Sequence, residues 1–478
     1  MPDAPDYKNP GLTEAKNVYP SPSGYYPFWD KVTTGEAVSG TVLGAARFER
    51  KDGSDFLCIG TTTDLYVCIG VAIPAGDLDA AVSFNCINSG LTLSVSTSEN
   101  WAFEQFGSAI YATTQSGGTY YLADIESNVN PFFVMIPAHP KAKAVARMDD
   151  FLVYGNLTDI DASSAPTRVR WSAFNNPLAA WGTDIGTQQG FIDMPQHFGS
   201  VTGLAGGDVG YILQENATSQ FDYTGSAIVF QKVLLQGSED QSAGCVGHAS
   251  IASIGGVHYW LSSIGFVKLT GGTIQIISKG RVWDWFLENA NTDQLHKVQA
   301  AINLDRRCVV WNFYPAGTLT YTKQIIYNWE LDQWSNATVA ADWFVPTVFN
   351  GAYTEGTLRR RRLLAGFVSG TLYQFTGDAL AATLETGEFQ LEPGRRSFFT
   401  SVRTIAEITS GTPSITVKHR NLPGAAKTST AATAEGPAGY APFNVDGRFV
   451  SVSVSIPAAA TWEKASALEI DAIPTGAV

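Results

Sequence analysis

The chain has 478 residues, 45% apolar and only 16% charged, with 46 glycines, enough for a large core cut by many tight turns. Its 44 acidic and 31 basic residues leave a net charge of −13, which disfavours coating nucleic acid but permits a protein past which nucleic acid slides. No stretch reaches the roughly 18 continuous apolar residues of a membrane helix, and residues 1–10 are polar, so neither a secretory signal nor stable membrane insertion is expected.

Residues 1–40 are rich in proline, glycine and tyrosine without a period of their own. They read as an extended arm, ordered mainly by contact with other surfaces. From residue 41 a repeated unit begins: a turn, an apolar strand, a second turn, and a strand ending in aromatics. Its clearest copy is residues 254–272, IGGVHYWLSSIGFVKLTGG, two β-rich runs between glycine pairs. Six further hairpins centre on the runs 56–59, 110–112, 151–154, 211–213, 308–311 and 363–366. Their spacing of about 40 to 60 residues is that of propeller blades. Upstream strands at 144–147, 201–204 and 298–302 bring most units to three or four strands. The expected fold is all-β: a β-propeller of six or seven blades over residues 41–378, with a tandem array of β-sandwiches as the competing architecture.

One helix is expected at residues 278–295, where Val282, Trp283, Phe286, Leu287 and Leu295 share a face. Beyond residue 377 the texture changes. Residues 385–478 contain alternating runs at 414–418 and 449–456, the latter with Phe449, Val450, Val452, Val454 and Ile456 between serines. They predict a small C-terminal β-sandwich-like domain, with 422–439 a long loop.

No sequence pattern for a hydrolase elbow, a phosphate-binding loop or a zinc protease is present. The six histidines are scattered, and His258 reads as structural. The pairs Asp159/Asp161 and Asp77/Asp79 fall short of the six to eight oxygens calcium takes and read as loop caps. Gly203–Gly210 lacks the strand–turn–helix context of a dinucleotide site. Arg168, Arg170, Asp193 and Tyr223 are what a propeller glycosidase would bring to its axis, without the repeated aspartate boxes of sialidases. The chain is therefore read as a non-enzyme with no catalytic residue, metal or cofactor. The five cysteines include no CxxC and read as buried free thiols of a reducing compartment. The one strong charge run is Arg359, Arg360, Arg361 and Arg362, a candidate subunit-interface or DNA contact.

Several short landmarks occur in a definite order: NPGLTEAKNVYP at 9–20, WAFEQFG at 101–107, RVRW at 168–171 with NNP at 175–177, and YNWELDQWS at 327–335. The ending, with Gly447-Arg448-Phe449, Ile456-Pro457 and Trp462, completes the set. In these the chain resembles the tail nozzle or hub proteins of short-tailed bacteriophages. That resemblance implies a structural virion protein of the phage tail, made and assembled in the host cytoplasm. It would form a homo-oligomer, a six-subunit ring below the portal-adaptor complex, continue the DNA ejection channel and meet tail fibre or tip proteins. Double-stranded DNA would pass without sequence recognition. The alternative from another class is a glycan-binding or glycan-cleaving β-propeller of a tail component.

Overall fold

All seven sequence hairpins reappear in the computed structural model as the two middle strands of four-stranded antiparallel blades, six of them separate sheets and the sixth blade in chain order part of a ten-stranded sheet. The structure describes residues 2–3, 9, 11–51, 55–70, 84–126, 131–226, 228–235, 243–348 and 362–477. Strands within each sheet are lettered a to d from the axis outward. Blade 1 is Val42–Glu49, Asp55–Thr61, Leu65–Gly70 and Phe84–Asn88. Blades 2 to 6 follow over residues 102–135, 141–193, 201–235, 252–276 and 299–337.

The b strands show why the sheets close into a ring. They are continuous apolar runs rather than alternating ones, which means burial on both faces. In blade 1, Phe56 and Cys58 join the core shared with blade 2, whereas Leu57 and Ile59 join the core shared with blade 7. In blade 3, Leu152 and Tyr154 face blade 2 while Phe151 and Val153 face blade 4. In blade 5, Trp260 faces blade 4 while Tyr259 and Leu261 face blade 6. Successive side chains of a strand point to opposite faces, so each run feeds two interfaces. Each neighbouring pair of blades thus shares its own apolar core, and that between blades 7 and 1 closes the circle.

Blade 7 departs from the sequence reading. Its first three strands are Trp343–Val348, Arg362–Val368 and Thr371–Ala379, but strand d is Trp29–Ala37, from the segment expected to be an arm. The chain leaves the propeller after Ala379, so the open edge of strand c has no downstream strand to accept. An N-terminal strand fills it, with Tyr373 opposite Thr33 and Phe375 opposite Lys31. The propeller accordingly begins at Trp29 rather than at 41.

Other described segments of the arm are likewise spliced into sheets of this same chain. Leu12–Lys16 runs parallel to strand d of blade 6 (Lys16 opposite Asn336) and antiparallel to Ala382–Thr386. Val18–Ser21 and Gly24–Pro27 form a hairpin that meets Thr461–Ala477 through Tyr25 and Ala465. Even Asp3 is engaged: its carboxylate accepts the N–H groups of Asp284 and Trp285 at 2.8 and 2.9 Å, capping the α-helix.

That helix spans Trp283–Asn289, shorter than expected, and Thr292–Lys297 continues as a 3₁₀ turn. Between them Asn291 turns aside to donate its N–H to the Tyr314 carbonyl at 2.7 Å. Phe286 packs on Phe266 and Phe313 in the core of blades 5 and 6.

The C-terminal region is two facing sheets. One continues the outer edge of blade 6 in the order 12–16, 382–386, 449–456 and 414–420. The other holds 18–21, 24–27, 461–477, 395–410 and 441–447. Val402, Val417, Val452, Val454, Ile456 and Trp462 fill the space between them. The expected loop at 422–439 carries two short strands, Thr428–Ser429 and Thr433–Ala434. Among the described residues, no helix is long and apolar enough to cross a membrane.

Candidate functional site: the axial cavity

The innermost strands all start at one end of the ring, and the b–c turns lie at that same end. Together they enclose a cavity of about 720 Å³, lined by Lys143, Gln115, Asn156, Glu215, Asn216 and Ser263 among others. A second depression of about 560 Å³ adjoins it through Ser98, Asn100 and His296, and ends against Tyr314, Tyr321 and Asp342. A cleft on the axis of a propeller belongs to no single blade. Every lining residue is therefore placed by the ring closure just described.

Lys297 is the deepest cation, 5% exposed. Its Nζ donates to the Glu99 carbonyl at 3.1 Å and to Asn100 Oδ1 at 3.2 Å, tying the start of blade 6 to the entry of blade 2. Burial lowers its pKa to about 8, with Glu99 opposing the shift. His296 beside it is also lowered, first by burial and then by Lys297 and Lys143. The Glu99 carboxylate accepts the N–H and Oγ–H of Ser116 at 3.0 and 2.9 Å, and Glu215 accepts the Ser200 N–H at 3.2 Å. Gln115 Nε2 donates to both oxygens of Asn156 at 2.9 and 3.0 Å. His248 accepts the Leu204 N–H on Nδ1 at 3.4 Å, and burial pushes its pKa down to about 4. At the far end, burial raises Asp342, whose Oδ2 accepts the Ser369 N–H at 2.6 Å. Tyr314 and Tyr321 lie with ring centroids 4.1 Å apart. Among the described residues, no group of three His, Cys, Asp or Glu side chains is placed to hold a metal ion. The cavity offers a dense set of donors and acceptors.

None of the four residues a propeller glycosidase would need lies there. Arg168 and Arg170 are on strand c of blade 3, and Asp193 is on strand d, away from the axis. Arg168 holds Asp193 through Nε and Nη2 at 2.7 and 2.9 Å, and reaches Asp159 through Nη1 at 2.9 Å. Arg170 reaches Asp159 Oδ1 through Nε at 2.8 Å. Both guanidinium groups lie over the Phe191 ring, at 4.0 and 4.9 Å. Burial pushes Asp159 up, but Arg170 and Arg168 outweigh it and hold the carboxyl below its ordinary range. Tyr223 donates to Gln188 at 2.9 Å at the opposite end of the propeller. The constellation is a structural ion cluster: residues two apart on one strand share a face, and here they meet each other.

Asp161 caps a turn through the N–H and Oγ–H of Ser163, while Asp77 and Asp79 lie outside the described residues. His258 is buried against Tyr211, with Nδ1 2.7 Å from Ser253 Oγ. Arg359, Arg360 and Arg361 also lie outside the described residues; Arg362 opens strand b of blade 7, opposite Val348. Two of the cysteines correct the free-thiol reading. Cys68 and Cys86 stand directly opposite on strands c and d of blade 1, Cα atoms 4.0 Å apart, and form a disulfide. Cys58, Cys245 and Cys308 are buried and free. Sequence reasoning missed the axial residues because they come in small groups from separate blades, with no motif spacing. The only available signal was position: most sit near the start of an a strand or near a b–c turn.

No family model matches the chain, and neither does any curated protein. Solved structures do. An exo-β-1,3-galactanase from Phanerochaete chrysosporium aligns over 92% of this chain and 100% of its own, at 9% identity and a TM-score of 0.30. A glycoside hydrolase aligns over 92% and 99%, at 8% identity and a TM-score of 0.27. An apocarotenoid oxygenase from Synechocystis aligns over 77% and 90%, at 10% identity and a TM-score of 0.33. Likeness this loose carries no argument about activity. The propeller rests on the chain's own topology.

Proposed function

We propose that this protein is a non-catalytic assembly subunit, a tail nozzle or hub protein of a short-tailed phage, working in a six-membered ring that continues the DNA channel below the portal and adaptor. The observation that carries this reading is an apolar surface at the end of the propeller opposite the cavity. Phe174, Leu178 and Ile185 in the c–d loop of blade 3 are 45%, 51% and 79% exposed, and Ile228 in the matching loop of blade 4 is 70% exposed. Phe174 stacks on Tyr223, and the Asp149 N–H bonds to the Gly207 carbonyl, so the turns of the two blades form one surface. Exposed apolar groups gathered at one end of a fold mark interaction surfaces.

A second exposed set, including Ile405 and Ile473, lies on the long paired strands of the C-terminal sheet. That sheet is attached beyond blades 6 and 7, across the ring from blades 3 and 4. Two different surfaces far apart on one subunit suit head-to-tail contacts, which close into rings. The net charge of −13 supports a channel that repels the duplex rather than trapping it. The acids of the axial cavity are already committed to N–H groups, which supports a non-catalytic role.

Native mass measurement with electron microscopy tests the proposal. Rings are expected, alone or on adaptor rings, and the double variant Ile185→Asp, Ile228→Asp should lose them with an unchanged circular dichroism spectrum. A protein that stays monomeric and ignores adaptor rings overturns it. Duplex DNA should bind little at physiological salt. Tight, salt-sensitive binding would instead make the arginine run a DNA contact.

A second reading, glycan binding, is favoured by one observation: the polar axial cavity at the other end of the propeller.

A further inference from the structure

Resting on that second reading, we propose that the axial cavity is a binding site for an uncharged oligosaccharide, whose hydroxyls are held by Lys143, Asn216 and Ser263 and whose ring faces lie against Tyr314 and Tyr321. Three observations converge on it.

The first is size and shape. The main cavity and the depression beside it are joined through Ser98, Asn100 and His296, at about 720 and 560 Å³. Each lies within the ordinary range of ligand sites, so the joined space suits a short chain of sugar rings better than a single ring.

The second is hydrogen-bonding capacity. Lys143, Asn216 and Ser263 come from blades 3, 4 and 5, and all three are exposed. Their side chains make no hydrogen bond to any other described residue. Gln115 spends its Nε2 on Asn156, which leaves its Oε1 as an acceptor. Donors and acceptors from separate blades around one space match a ligand whose hydroxyls both donate and accept. A peptide would instead seek an apolar groove or an open strand edge.

The third is charge balance. Lys143 faces Glu99 and Glu215 in the main cavity, Lys297 lies in the adjoining depression, and burial holds His248 and His296 toward their neutral forms. Asp342 adds an acid in the adjoining depression. An anion entering this space meets no surplus cation and gives up its hydration without an ion pair. An uncharged polar ligand meets no such cost. Tyr314 and Tyr321, packed against each other with their rings tilted by 46° at the end of the depression, provide the apolar wall that the C–H face of a sugar covers.

Titration calorimetry on the full chain with maltotriose, cellotriose and chitotriose, each compared with trigalacturonate, tests the proposal. At least one neutral trisaccharide should bind saturably, and both Asn216→Ala and Lys143→Gln should weaken it about tenfold. Both side chains are exposed, so an unchanged thermal melt is expected alongside. Preference for trigalacturonate overturns the assignment to uncharged sugars while leaving glycan binding standing. No saturable binding of any of the four up to ~10 mM overturns both. Neutral-sugar binding that survives both substitutions moves the site elsewhere and also overturns the proposal.

Discussion

The indole Nε1 of Trp343, in the innermost strand of the last blade, donates to the carbonyl of Ala45, in the innermost strand of the first, at 2.9 Å. The two residues are nearly 300 positions apart in the chain, and this bond crosses the seam of the ring. Its indole also packs in the core shared by blades 7 and 1. Replacing Trp343 by Phe keeps most of the packing and removes the bond, so a loss of about 1 kcal/mol is expected. Trp343→Ala should cost about 3–5 kcal/mol through the added cavity. Urea unfolding of both variants measures the difference, and a Trp343→Phe variant as stable as the parent would show that the bond itself contributes nothing.

Removing residues 1–38 tests the seam from the other side. The sequence reading of a peripheral arm expects the propeller to stay folded. The structure expects the reverse, because strand d of blade 7 is lost together with the stacked pair Tyr19 and Phe28, and Phe375 loses its edge contact with Phe28. The truncated chain should show early melting and rapid proteolysis. A truncated protein that melts like the full chain would contradict this.

His139 makes the protein sensitive to acid. It is buried between Tyr111, Tyr154 and Trp181, and burial lowers its pKa to about 4 from an ordinary 6.5. The unfolded chain therefore binds a proton between pH 6.5 and 4 that the folded chain refuses. Stability is full above pH 6.5 and falls as the pH drops toward 4, by at most about 3 kcal/mol from this one group. Urea midpoints at pH 7 and 4.5 should differ less in His139→Phe than in the parent. An unchanged difference would assign the acid sensitivity to other groups.

Asp159 carries the ion cluster of blade 3. Its side chain is 1% exposed and faces both Arg168 and Arg170. Asp159→Ala leaves two guanidinium groups short of their counter-ion and should destabilise by about 3–5 kcal/mol. Asp193→Ala, where the carboxylate is 52% exposed, should cost about 1 kcal/mol or less. Chemical denaturation ranks the two, and the reverse order would contradict the cluster as described.

The all-β class and the seven hairpins are fixed by sequence alone, because a strand buried on both faces needs a run such as Phe56–Ile59 or His258–Leu261, and such runs survive in any order of reading. The two main C-terminal strands are legible for the same local reason: period two is written in consecutive residues such as Phe449–Ile456. What only the tertiary structure decided is everything that depends on partners distant in sequence. Trp29–Ala37 is weakly apolar and becomes a blade strand only because Thr371–Ala379 offers an open edge more than 300 residues later. Cys68 and Cys86 look like isolated thiols until strand register sets them opposite each other. Arg168, Arg170 and Asp193 look like an axial constellation until the lettering of their strands puts them on the outer half of a blade. The axial cavity itself has no sequence signature, since its lining is gathered in small groups from separate blades and exists only once the ring is closed.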